Sequence, residues 1–271
     1  MVFCDELPDG SPIHPTTPPP ISVTMRSKIT LRKITPAPIH YDYQYGIAAM
    51  LYKKLAHANI RLANEIHSHT GFKFYTFSNL IFDDRIPSRY GLNFEQAHFY
   101  LSSPDPEFIR SFTEGLLQEP EFYLRRTETG RERASILIER IEILPKETIG
   151  EVCKWKAISP IYVKTQRLQD GRLRDFDLYP KDGKFYENLH TNLVARYREY
   201  HGHDVSHDHF EVTDTRNVKA KRIKIANTYR RCSLMEFEVQ GSPRLLEFAY
   251  DAGIGEKNAM GFGCLQRTGS E

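Results

Sequence analysis

Residues Ala252 to Cys264 read AGIGEKNAMGFGC, with Gly253, Gly255, Gly261 and Gly263 set around a polar turn that carries Lys257 and Asn258. Glycine has no Cβ, so backbone N–H groups spaced in this way can face an anion at close range. A phosphate is the natural guest. The segment is not a Rossmann fingerprint, because Asn258 stands where the third glycine belongs, and it is not a P-loop, because no Gly-Lys-Ser/Thr follows. A flexible hairpin turn that needs glycine only for positive φ accounts for the spacing about equally well. Upstream, Arg216, Lys219, Lys221, Arg222, Lys224, Arg230 and Arg231 follow one another with no acidic residue between them, interleaved with Val218, Ile223, Ile225 and Tyr229. A basic hairpin of this kind can lie along a phosphate backbone, or it can be a solvated face. A third cluster, HGHDVSHDHF, holds His201, His203, His207 and His209 with two aspartates, enough ligands for zinc or nickel. It has no cysteine and falls between a helix and a strand, which favours a polar loop. Cys4, Cys153, Cys232 and Cys264 form no CxxC pair and are expected to be reduced thiols.

The elements that must position these residues follow from periodicity. Alternating residues from Lys28 to Thr35 predict a strand closed by Pro36 and Pro38. Tyr45, Ala48, Ala49, Tyr52 and Leu55 share one face of a helix, and a second helical stretch runs from Ile60 to His69. Strands are expected at Phe72 to Ser78 and Ala97 to Leu101, followed by a helix capped by Asp105 with Pro106 in its first turn, and then a strand through Ile136 to Ile143. The order β-α-β-β-α-β is the ferredoxin-like unit. It repeats with a strand at Ala157 to Thr165, a hairpin turning at Gly171, a helix through Phe185, Leu189, Leu193 and Tyr197, strands at Phe210 to Thr213 and Leu234 to Val239, a short helix from Leu245 and a last strand at Met260 to Leu265. The fold class expected is therefore α+β: two tandem ferredoxin-like domains, 25–150 and 151–271, with a C-terminal glycine-rich loop. The proline-rich residues 1–24 are expected to form a poorly ordered leader, with Met25 a candidate natural start.

Composition agrees with a folded protein. The 271 residues are 40% hydrophobic and 27% charged, which excludes a mostly disordered chain, a collagen-like fibre and a coiled coil. The apolar run needed to span a membrane is absent, as is a signal peptide, so a cytoplasmic location is expected. A net charge of +2 neither demands nor excludes nucleic acid.

The segment GIGEKNAMGFG at 253 to 263, the SPI at 159 to 161 and the paired domains resemble the CRISPR-associated endoribonucleases that cut the repeat transcript into guide RNAs, within the RAMP superfamily. YDYQYGIAAMLYKKLAHANIRLANEIHSHTGFKFYTFS at 41 to 78 is similar to the first helix, active-site helix and following strand of the nuclease branch. The resemblance implies that Tyr52, His67 and Lys73 are a catalytic triad of the N-terminal domain, while Gly253, Gly255, Lys257, Asn258, Gly261, Gly263 and the basic run bind RNA. By their pattern alone these residues have plainer roles: Tyr52 in the core, His67 half-buried, Lys73 on the solvent face of a strand, with His69 in a loop as the competing histidine. The resemblance further implies metal-independent cleavage of CRISPR repeat RNA by its own 2′-hydroxyl, no cofactor, no metal, and repeat RNA as the partner. An effector complex is a further partner it allows, with monomer and homodimer both open. The competing reading is a non-catalytic RAMP subunit that holds guide RNA in such a complex.

Overall fold

The computed structural model describes residues 25–125, 133–225 and 227–269. The proline-rich leader and Cys4 lie outside the described residues. The first half begins with Met25–Lys33 (β1), two helices Gln44–Ala58 (α1) and Ile60–Ser68 (α2), and four short strands: Thr76–Phe77 (β2), Ile81–Phe82 (β3), Ile86–Ser88 (β4) and Gly91–Asn93 (β5). Gln96–Ser103 (β6), Pro106–Gln118 (α3), Glu121–Arg125 (β7) and Arg133–Leu144 (β8) complete it. The strands β2, β6, β1 and β8 lie side by side in that order, with β7 outside β8 and β3 also paired to β6. This is the ferredoxin-like arrangement, in which the first and third strands form the centre of the sheet.

The helices start where local chemistry allows. Asp105 accepts a hydrogen bond from the Glu107 N–H at 2.9 Å, and Asn59 accepts one from Leu62 at 3.0 Å, so each supplies a side-chain acceptor to a free helix N-terminus. In α1 the buried face differs from the expected one. Ile47, Met50, Leu51 and Leu55 turn inward with Ala48, while Tyr45 is 51% exposed. Lys54 joins the buried set because its ammonium reaches the carbonyl oxygens of Glu119 and Glu121 and the Glu119 carboxylate. The strand expected at Phe72 to Ser78 is reduced to Thr76–Phe77, and the residues before it form a loop that is tied to the second half of the chain.

The second half contains Val152–Ala157 (β9), the hairpin Val163–Gln169 (β10) and Arg172–Leu178 (β11), Lys184–His201 (α4), Phe210–Ile225 (β12), Thr228–Gly241 (β13), Pro243–Ala252 (α5) and Leu265–Arg267 (β14). Its sheet runs β12-β13-β9-β14, the same ferredoxin-like order, with β10 and β11 inserted between the first strand and the first helix. The single strand expected at Ala157 to Thr165 is split, since β9 ends at Ala157 and β10 begins after Pro160, which cannot donate to a ladder. The last strand also starts later than expected, because Asn258–Met260 is a turn of 3₁₀ helix. Each half has its own core, one around Phe99, Phe112 and Ile136, the other around Trp155, Phe185 and Phe237. A third, small cluster of Tyr162, Ile223, Cys232 and Phe262 supports the glycine-rich segment.

Candidate active site

Tyr52 projects from α1 and His67 from α2, and their rings meet with centroids 5.2 Å apart at 43°. Tyr52 leans on the core of the first half while His67 is exposed, so the pair consists of a braced phenol and a solvent-facing imidazole. Lys73 lies on the loop after α2 and not on the solvent face of a strand. Its ammonium donates to the carbonyl oxygen of Ile66, one residue before His67. The structure thus gathers all three residues around the last turn of α2. Partial burial pushes the Lys73 ammonium below the ordinary lysine range, since a desolvated charge is disfavoured.

The loop that carries Lys73 is held from the other half of the molecule. Glu199 on α4 accepts a hydrogen bond from the Phe72 N–H at 2.9 Å and pairs with His69 Nε2 at 2.8 Å. The competing histidine is therefore engaged with Glu199, and His67 is the one beside Tyr52. Between them Gly71 passes so close to the Glu199 carboxylate that a Cβ would overlap it. Sequence reading did not find Glu199, which lies 127 residues from Phe72 and belongs to no motif.

The glycine-rich segment departs from its expected role. Gly253, Gly255, Gly261 and Gly263 all have positive φ, as a turn requires, but all four are buried and face protein. A Cβ on Gly261 would lie 2.6 Å from the Phe77 ring, one on Gly255 2.5 Å from the Tyr162 carbonyl oxygen, and one on Gly253 2.9 Å from Thr76. On Gly263 it would overlap the Ile254 carbonyl. Asn258 is buried too, and its amide donates to the carbonyls of Ile254 at 3.1 Å and Phe262 at 3.0 Å. The expectation that these five residues offer an open face to phosphate is corrected: Gly253 and Gly261 let the segment lie close against β2 of the other sheet, while Gly255, Gly263 and Asn258 pack within their own half. Only Lys257 of this group is exposed.

The segment is the centre of a joint between the halves. Thr76 donates to the Phe262 carbonyl at 2.8 Å, and the Asn79 N–H to Ile158 at 3.0 Å. Arg26 on β1 is buried, donates to the Leu265 carbonyl and lies over the rings of Tyr100 and Tyr250 at 5.2 and 4.7 Å. Arg196 on α4 donates to the carbonyls of Ala252 at 2.7 Å and Gly253 at 2.6 Å, so a cation holds the C-terminal end of α5. Neither arginine stood out in the sequence.

The basic run occupies the end of the long hairpin β12–β13. Lys219, Lys221, Arg222 and Arg231 are exposed there, and Lys224 is half-buried. Arg222 stands directly across from Arg231 and stacks its guanidinium over Tyr229 at 4.0 Å. Two like charges in register oppose one another unless an anion joins them. Arg216 is paired with Asp214 at 2.7 Å, and Arg230 turns inward to the Tyr162 hydroxyl at 3.2 Å, so these two are committed to protein partners. The hairpin expected at Gly171 is basic as well, which its sequence did not signal: β10–β11 sets Arg167 opposite Arg174. The Asp177 carboxylate at its end accepts from the Arg231 N–H at 2.9 Å, which places the two hairpins side by side. His201 packs among Tyr197, Tyr200 and Phe248 at the end of α4, with centroids 4.2, 4.8 and 5.7 Å away. His209 pairs with Glu211 at 3.6 Å.

Among the described residues no helix is long and apolar enough to cross a membrane. The N-terminal region of CRISPR-associated protein Cas6 matches residues 38–131, and its C-terminal region matches residues 143–267. A CRISPR-associated endoribonuclease Cas6 of Methanocaldococcus jannaschii is 36% identical over 247 residues, which is 89% of this chain and 92% of the relative. The solved structure of a Cas6-related gene product from Pyrococcus furiosus superposes with a TM-score of 0.81 at 28% identity, covering 92% of this chain and all of that one. A RAMP protein described as binding different RNA substrates gives a TM-score of 0.78 at 28% identity over 90% of this chain and all of that one. With tandem ferredoxin-like sheets, family regions matched over residues 38–131 and 143–267, and 36% identity along nearly its whole length, the chain belongs to the Cas6 family.

Proposed function

We propose that this protein is a metal-independent endoribonuclease that cuts the repeat RNA of CRISPR transcripts to release guide RNAs. The observation that carries this reading is the meeting of Tyr52 and His67 at the helix end where Lys73 is anchored. RNA brings its own nucleophile, the 2′-hydroxyl, so the protein need only align it with the phosphorus and manage protons and charge. An imidazole can both take up and give back a proton, and His67 supplies one beside Tyr52. The Tyr52 hydroxyl orients or accepts a proton, and the Lys73 ammonium offsets the charge that builds on the phosphorane. A proton relayed from the 2′-hydroxyl through Tyr52 and His67 reaches the departing 5′-oxygen, and the products are a 2′,3′-cyclic phosphate and a 5′-hydroxyl.

The grip on RNA falls to the exposed cations of β12–β13 (Lys219, Lys221, Arg222 and Arg231) together with Lys257, and the RNA binding described for the RAMP neighbour supports this half of the reading. Cleavage of a repeat RNA by purified protein in EDTA tests the proposal. Product with a cyclic phosphate end, and none from RNA carrying a 2′-deoxy at the nucleotide before the cut, is the expected result. Activity that vanishes with chelator and returns with Mg²⁺ defeats the mechanism. Tight binding without any cleavage points instead to a guide-RNA-holding subunit.

A further inference from the structure

Next to Lys73 the structure holds a cavity of about 260 Å³ that the cleavage chemistry does not use. Its walls are Leu62 and Ile66 of α2, Phe72 and Phe74 of the loop, Phe108 of α3 and Tyr200 of α4. Rings therefore enclose it from three directions, and two of them, Phe74 and Tyr200, meet edge to face at 4.9 Å. Such a mostly apolar hollow with a few polar groups is what a flat organic guest needs. The charges at its edge define that guest further. Glu65 and Asp105 line the cavity with His69, which is engaged with Glu199, and Lys73 is its one lysine or arginine. Two carboxylates disfavour a phosphate, so the guest is a neutral ring and not the RNA backbone.

We infer that this cavity receives the nucleobase adjoining the scissile phosphate, an inference that rests on the cleavage proposed above. Lys73 joins the two places, since its side chain lines the cavity while its ammonium is anchored beside His67. Seating the base fixes the sugar attached to it, and with it the line from the 2′-hydroxyl to the phosphorus. The carboxylates accept hydrogen bonds, so a base with an exocyclic amine fits better than uracil, whose single N3–H donor lies between two carbonyl oxygens that a carboxylate repels. The cavity draws its walls from both halves of the molecule and so sets specificity only when they are joined.

Single-turnover cleavage of repeat RNAs that are abasic at either nucleotide flanking the cut tests the inference, using the wild type, Leu62→Trp and Tyr200→Leu. One abasic RNA should be cut about 5 to 150 times more slowly than intact RNA by the wild type, the usual worth of stacking one base. Leu62→Trp fills the cavity and Tyr200→Leu removes a wall ring. Both should slow the intact RNA yet cut that abasic RNA at the wild-type rate for the same substrate. Equal wild-type rates on intact and abasic RNAs, or variants that slow every substrate alike, overturn the assignment. A second readout does not need cleavage: 2-aminopurine placed at the same nucleotide of a 2′-deoxy RNA should lose fluorescence on binding the wild type and keep it with Leu62→Trp. If the wild type cuts no repeat RNA, the proposed activity fails, and the 2-aminopurine signal still decides the cavity. An unchanged signal on wild-type binding overturns it.

Discussion

A histidine whose ring is exposed and touches a tyrosine contributes little to stability, so its removal isolates chemistry. His67→Ala should slow single-turnover cleavage by about 10² to 10⁴ fold, the range for losing a general acid or base, while filter-binding affinity for the repeat stays within a factor of about two. Equal losses in rate and affinity would make His67 a binding residue. Lys73 gives a second expectation through pH. Burial disfavours its charged form, so its proton leaves at a lower pH than the ordinary lysine value of about 10.4. Activity that needs the ammonium is complete below that depressed pKa and is lost as pH rises through it. The alkaline limb of the pH–rate profile should therefore lie below the lysine range, and Lys73→Arg, whose guanidinium does not titrate there, should move it upward. A limb that Lys73→Arg leaves in place belongs to another group.

At the scale of elements, the proposed function divides the work between the hairpin β12–β13 and the loop before β2. Charge reversal of Lys221 and Arg222, both exposed, should weaken RNA binding and flatten its dependence on salt by about 0.7 in log–log slope for each phosphate of a single strand that is no longer neutralised. An unchanged slope across a salt series would place the RNA elsewhere. Glu199→Ala acts differently, since it releases the Phe72 N–H and His69 together and lets the loop under Lys73 wander. It should lower the cleavage rate about tenfold or more with little change in affinity, because misplacing a reacting group by an ångström is costly. The order of elements was legible because each carries its own period: Phe108, Ile109, Phe112 and Leu116 mark a helix in isolation. Distant partners were not legible. Nothing in the local pattern around Lys54 shows that it is buried, since the carbonyls that receive its ammonium come from 65 and 67 residues away. The same holds for Gly261, whose need for smallness is set by Phe77 of the other sheet. The Tyr–His–Lys trio was readable only through a family likeness, because tyrosine on an apolar stripe and lysine between aromatics have ordinary explanations.

The whole molecule is two similar sheets whose joint is made by side chains and glycines, and the packing of the glycine-rich segment at its centre can be tested. Gly263→Val adds a β-branched side chain at φ +70°, where it would also meet the Ile254 carbonyl. It should cost about 3 kcal/mol or more of unfolding free energy, read by denaturant titration. A variant as stable as the wild type would show that the loop has room to spare. Arg26 ties the same joint from the opposite end of the described chain, with 239 positions separating it from the carbonyl of Leu265 that it meets. The order of synthesis then matters. The N-terminal sheet, the Tyr52–His67 pair and the Lys73 loop leave the ribosome before Glu199, and β14 is the last of the described strands to follow. A nascent chain can therefore complete its first sheet while Arg26 is still without its partner. Contacts of such sequence separation form slowly, because the loop that they close must be ordered before they repay it. During refolding from denaturant, secondary structure should accordingly return before RNA cleavage does, and a partly made chain should leave repeat RNA uncut until β14 has docked.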